Sequence, residues 1–151
     1  RERLCVVLNN QHEIRIKEFT ERCAKDPAAY VVFQPYTARR LRSVSKLLLS
    51  SAYPVPIFFV SGNFGTEVIA RGILHSVEYR PEVSVQRLRE IQDLISEYDE
   101  GVYATNFLLV SNVTPLSSPA SVTEFVKKSD GKPLKPSRTP AIVCYLPARL
   151  A

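Results

Sequence analysis

Short apolar runs alternate with amphipathic stretches along the whole chain. Leu4–Leu8 (LCVVL) is a continuous apolar run, the pattern of a buried strand. It ends at Asn9-Asn10, and Asn10 with Glu13 three residues later matches a capping box. From Gln11 to about Lys25, Ile16, Phe19 and Cys23 recur at helical spacing until Asp26-Pro27 stops the pattern. Tyr30–Gln34 predicts a second strand. Thr37 is a good N-cap for a second helix running to about Ser51, with Leu41, Val44 and Leu48 on its apolar face.

Pro56–Val60 and Val68–Tyr79 read as two strands joined by a glycine-containing turn, Ser61–Gly65. Ser84 caps a third helix predicted to reach about Tyr98. Phe107–Val110 is a fifth strand, and Pro115–Pro119 a loop. Ser121 and Glu124 form a second capping box, opening a short helix through Lys128. Asp130–Pro140 is a Lys/Pro/Gly/Ser loop and Ala141–Leu146 a last strand. The order β-α-β-α-β-β-α-β-α-β departs from strict strand–helix alternation, so a simple doubly wound sheet is not expected. The expected fold class is α/β (α+β), with about six strands in a mixed, curled sheet or partial barrel and three to four helices outside.

At 151 residues the chain fits one domain, 1–151, large enough to carry its own core. It opens on Arg and holds no methionine, which reads as a domain excised from a larger multidomain protein. No apolar run is long enough for a membrane span, and no signal-peptide pattern is present. Cys5, Cys23 and Cys144 are odd in number, widely spaced and set among apolar residues, which predicts reduced core side chains in an intracellular protein, cytoplasmic or nuclear.

The net charge of +5 favours polyanionic partners, but its distribution says more. No acidic residue occurs between Thr37 and Ser51. On a helix spanning that stretch, Arg39, Arg42 and Lys46 share one face with Arg40 at its edge. A second basic group comprises Lys127, Lys128, Lys132, Lys135 and Arg138. Both are candidate phosphate-binding segments, since cations that neutralise phosphates release counterions. Tyr36, Tyr53 and Phe64 stand near turns, where aromatic faces can stack on bases. Gln34, Ser61 and Asn63 are polar neighbours suited to reading a base edge.

Catalytic signals are sparse. His12 and His75 are the only histidines, and neither sits in a metal-binding spacing. No nucleophile elbow, P-loop or dinucleotide fingerprint occurs. Asp93, Glu97, Asp99 and Glu100 cluster at the end of the third helix, which reads as a solvated acidic patch. No cofactor and no chemistry of the chain's own are expected. The alternatives are a protein-interaction module that docks an acidic partner, or a small enzyme using His75 or the acidic cluster.

Three stretches carry a family resemblance: YVVFQPYTARRLRSVSKLLL, IFFVSGNFGTEVIARGILHSVEY and NFLLVSNVTPLSSPASVTEFVKK, together somewhat under half the chain. They resemble the PUA-like superfamily, in particular its EVE and YTH branches. The resemblance implies a curled barrel that binds modified bases in RNA or DNA, often fused to effector domains such as nucleases. YTH-type cages rely on tryptophan, and this chain has none. A cage here falls to Tyr36, Tyr53 or Phe64.

Overall fold

The computed structural model describes residues 2–151. The strands are β1 (Leu4–Gln11), β2 (Tyr30–Phe33), β3 (Val55–Ser61), β4 (Glu67–Tyr79), β5 (Asn106–Ser121), β6 (Val126–Lys127) and β7 (Ala141–Tyr145). The α-helices are α1 (Glu13–Lys25), α2 (Arg42–Ser50) and α3 (Val85–Gln92). The strands form one sheet in the order β2-β5-β4-β3-β1-β7-β6. Only β1 and β3 run parallel; every other neighbouring pair is antiparallel. The architecture is a mixed α+β fold whose curled sheet stays open, with β2 and β6 as its edges, and does not close into a barrel.

Side chains of β1 alternate between the two faces, and both faces are packed. Val6 and Leu8 join Phe19 of α1, Val44 and Leu47 of α2, and Phe33 and Phe59. Phe33 stacks on Phe59 at 4.3 Å between ring centroids, and Phe19 meets Phe33 edge-on at 4.8 Å. Cys5 and Val7 face the other way, toward Phe58, Phe125 and Leu134. Burial on both sides is why the strand is apolar throughout instead of alternating. All three cysteines are buried and free. Cys5 and Cys144 stand opposite each other in register, and burial pushes the Cys144 thiol up to about 12.

The curl comes from irregular pairing. The β4–β5 register slips at three places along the two longest strands. Such bulges bend and twist a sheet. Gly72 sits within this stretch, where a Cβ would lie 2.7 Å from Val110 Cγ1 and 3.0 Å from the Ser111 carbonyl. Only glycine admits that approach.

Several elements differ from the sequence expectation. β5 continues through Pro115 and Pro119, where a loop is expected. β2 pairs with β5 only at Leu108–Ser111, so the distal half of β5 has one partner, and an edge tolerates proline. The third helix stops at Gln92, well short of Tyr98. Its continuation lies along β2 instead, where the Leu94 carbonyl accepts a bond from the Val32 amide at 2.9 Å and covers that sheet edge. The Ser121–Glu124 capping box forms, but it caps a single 3₁₀ turn, Val122–Glu124. β6 follows it in place of the expected short helix. Asn10 caps nothing: it adopts φ 61°, and His12 precedes α1.

Candidate functional site

The end of β1 organises a polar corner of the molecule. Asn9 is buried, its amide N–H accepted by the Pro140 carbonyl at 2.8 Å. Its side-chain Nδ2 donates to the Thr139 carbonyl at 2.8 Å. Asn10 Nδ2 donates to the Arg138 carbonyl at 3.0 Å. The Lys/Pro/Gly/Ser loop is therefore pinned at residues 138–140. The Gly62 amide donates to the Gln11 carbonyl at 2.8 Å, fixing the β3–β4 hairpin tip to the same strand end.

A cleft of about 200 Å³ opens here. Asn9, Asn10, Gln11, His12, Arg15, Gln34, Tyr36, Tyr103 and two prolines line it, with no carboxylate among them. Gln34 is its most constrained member. Its Oε1 accepts from the Tyr103 and Ala104 amides at 2.9 and 3.2 Å. Its Nε2 donates to Asp99 Oδ2 at 3.0 Å and to the Gly101 carbonyl at 3.1 Å. Both N–H groups are thus spent inside the protein, so Gln34 shapes the cleft and has no donor left for a base edge. The Asn10 Oδ1, in contrast, is buried without a hydrogen-bond partner.

The expected aromatic and polar residues divide by position. Tyr36 is 91% exposed at the rim of the cleft. Phe64 occupies the hairpin tip at φ 49°, half exposed, with the Arg138 guanidinium 5.0 Å over its ring. Ser61 ends β3 in register with Gln11, and Asn63 is exposed beside it. A Cβ at Gly65 would sit 2.0 Å from the Ser61 carbonyl, which makes glycine obligatory at this turn. Tyr53 does not join them. It lies under Arg3 at 4.7 Å, beside the opening residues of β1, roughly 20 Å of strand from the cleft.

The basic stretch is not one helical stripe. α2 begins at Arg42, and residues 37–41 are irregular. Buried Asn106 holds them, donating to the Arg39 carbonyl at 2.8 Å and accepting from the Leu41 amide at 3.4 Å. Arg39 and Arg40 therefore precede the helix on this strap. Arg40 pairs with Glu82 at 2.6 Å and lies over Tyr79. Lys127 pairs with Asp130 at 3.0 Å. Among the described residues, Arg39, Arg42, Lys46, Lys128, Lys132, Lys135 and Arg138 have no carboxylate at ion-pairing distance.

The two basic segments meet. A cavity of about 480 Å³ lies between α2 and β7, with Lys46 on one wall and Lys128 on the other. Thr139 and Ala141 line this cavity and Pro140 lines the cleft, so one stretch of chain separates the two hollows. No carboxylate lines either.

No family model matches the chain, and no curated protein or solved structure matches it.

The residues of the enzymatic alternatives are placed as follows. Asp99 is spent on the core: its side chain is fully buried against Arg15, at 2.5 Å, and Gln34. The acidic cluster is thus not uniformly solvated, and Asp99 anchors α1 to the loop before β5. His75 Nε2 lies 2.6 Å from Ser111 Oγ, with Tyr30 edge-on at 5.0 Å. Ser111 is buried, and among the described residues no carboxylate bonds to His75. Among the described residues no three His, Cys, Asp or Glu side chains gather as a metal site, and no helix is long and apolar enough to cross a membrane. Asn9, Asn10, Gln11, His12, Arg15 and Tyr103 are cleft residues that sequence reasoning missed. The paired asparagines at the strand end were the one available signal.

Proposed function

We propose that the chain binds nucleic acid and serves as the reading module of a larger protein. One observation carries this: the amide-lined cleft and the lysine-walled cavity lie on either side of residues 139–141, and neither contains a carboxylate. Cations without acidic partners would hold phosphates, which positions a strand without reading it. Tyr36 and Phe64 offer exposed faces for stacking. The curled sheet with helices outside is compatible with the PUA-like resemblance, although it is open. Recognition of a modified base belongs to that resemblance and rests here on the cleft rim.

Fluorescence polarisation with DNA and RNA oligonucleotides, single- and double-stranded, with and without modified bases, tests this reading. Binding that weakens steeply with salt is expected. Failure to bind any member of the panel at low salt removes the proposal.

One observation favours docking of an acidic protein segment instead. Leu49 is 90% exposed and follows Arg42 and Lys46 at i+7 and i+3, on the same face of α2. An amphipathic acidic peptide would match that stripe. Capture of such a peptide with no oligonucleotide binding, lost in Leu49→Ser, would establish it.

A further inference from the structure

The cavity between α2 and β7 is built unlike the cleft beside it. Its floor is apolar: Leu4, Ala141 and Val143 pack only partly under the helix, and Leu47 closes one side. Its polar lining is ammonium and hydroxyl groups, with no carboxylate. Lys46 reaches it from α2 and Lys128 from the turn after β6, and neither has an ion-pair partner among the described residues. Ser43, Ser129 and Thr139 add hydroxyls. A volume of about 480 Å³ falls within the range of small-molecule sites, roughly 300–1,000 Å³.

Lys46 and Lys128 line the same cavity, where an anion held between two ammonium groups gains attraction from both. An acceptor-rich dianion satisfies both ammonium groups and the hydroxyls together, and charge-assisted bonds of that kind are the strong ones. A hydrocarbon tail would bury the floor but leave the hydroxyls unanswered. A bare anion would use the rim but leave the floor wet. We propose that this cavity binds a phosphate monoester carrying a planar ring, a ligand of mononucleotide size, with the phosphate between Lys46 and Lys128 and the ring on Leu4, Ala141 and Val143. Nothing here depends on the polymer reading above, because a free ligand fills the cavity without touching the cleft.

The test is isothermal titration calorimetry of the full chain with the four nucleoside 5′-monophosphates, the matching unphosphorylated nucleosides and inorganic phosphate. The monophosphates should bind, with both nucleosides and inorganic phosphate at least roughly tenfold weaker. Combined Lys46→Ala and Lys128→Ala should cost a monophosphate at least roughly tenfold, and Lys25→Ala, at the end of α1 and outside the cavity, should cost nothing. Ala141→Phe, which fills the floor, should abolish binding while circular dichroism confirms the fold. Monophosphates that do not bind at millimolar concentration overturn the proposal, as does binding indifferent to loss of both lysines. Oligonucleotide binding without mononucleotide binding sinks this proposal alone. Mononucleotide binding without oligonucleotide binding supports it and sinks the polymer reading.

Discussion

The Arg138 guanidinium lies 5.0 Å above the centre of the Phe64 ring, joining the basic loop to the hairpin tip. Phe64 also holds φ 49°, a conformation that costs a residue with a Cβ roughly 1–2 kcal/mol. A strained, half-exposed aromatic returns little to the core. Phe64→Gly should therefore keep or raise the melting temperature while weakening oligonucleotide binding roughly tenfold, the lower end of one lost base stack. Calorimetric melting and polarisation titration on the same variant decide it. A lower melting temperature with unchanged affinity would make the residue structural.

The unpaired cations on α2 should behave differently from Arg40. Replacing Arg42 and Lys46 together with Ala should flatten the dependence of log affinity on log salt by roughly 1.4 to 1.8, as for two lost phosphate contacts. Arg40→Ala should leave that slope nearly unchanged, because Glu82 and Tyr79 already occupy its guanidinium. Titration at four salt concentrations measures both. Equal slopes for all three proteins would exclude α2 from the phosphate path.

The sequence pattern carried the central strands and failed where distant partners decide local structure. LCVVL and PIFFV read directly as buried strands because each is packed on both faces. Ser84 was legible as a cap because its Oγ needs only the Arg87 amide, three residues away. Asn10 was misread as a cap because its side chain is committed to Arg138, 128 residues distant. The same cause moved the start of α2: buried Asn106 holds residues 37–41 out of the helix. Composition marked the two basic segments, but their meeting across one cavity depends on β7 pairing with β1. Gln34 stands out in the sequence as a polar neighbour of Tyr36, and only the loop at 99–104 shows that its amide is consumed.

Gln34 should accordingly be a stability residue. Gln34→Leu leaves the Tyr103 and Ala104 amides, the Gly101 carbonyl and one oxygen of buried Asp99 without their partner. Each buried unsatisfied group costs about 1–3 kcal/mol before relaxation, so a net loss of about 3 kcal/mol is expected. Urea denaturation measures it. A loss below about 1 kcal/mol would show that water enters and replaces the amide.

His75 gives the fold a pH dependence of known sign. Partial desolvation of its ring, which stays largely exposed on β4, holds its pKa below the usual 6.5, so the folded chain resists protonation slightly. The unfolded chain takes up a proton near 6.5 and the folded chain only at lower pH. Unfolding therefore gains favour as pH falls through 6.5, and above that value the residue contributes no pH dependence. Glu78, Glu124 and Asp130 are held below their usual values, chiefly by Arg87, by Arg149 and by the Lys132 amide respectively. Their contributions are lost only below the ordinary carboxylate range, near 4.5 and 3.8, and leave the window between about pH 6.5 and 5 to the histidine. The urea midpoint should drop across that window in the native chain. His75→Gln keeps a polar partner for Ser111 without a titrating ring, and its midpoint should stay level from about pH 7 to 5. Parallel slopes for the two proteins would assign the acid sensitivity to another group.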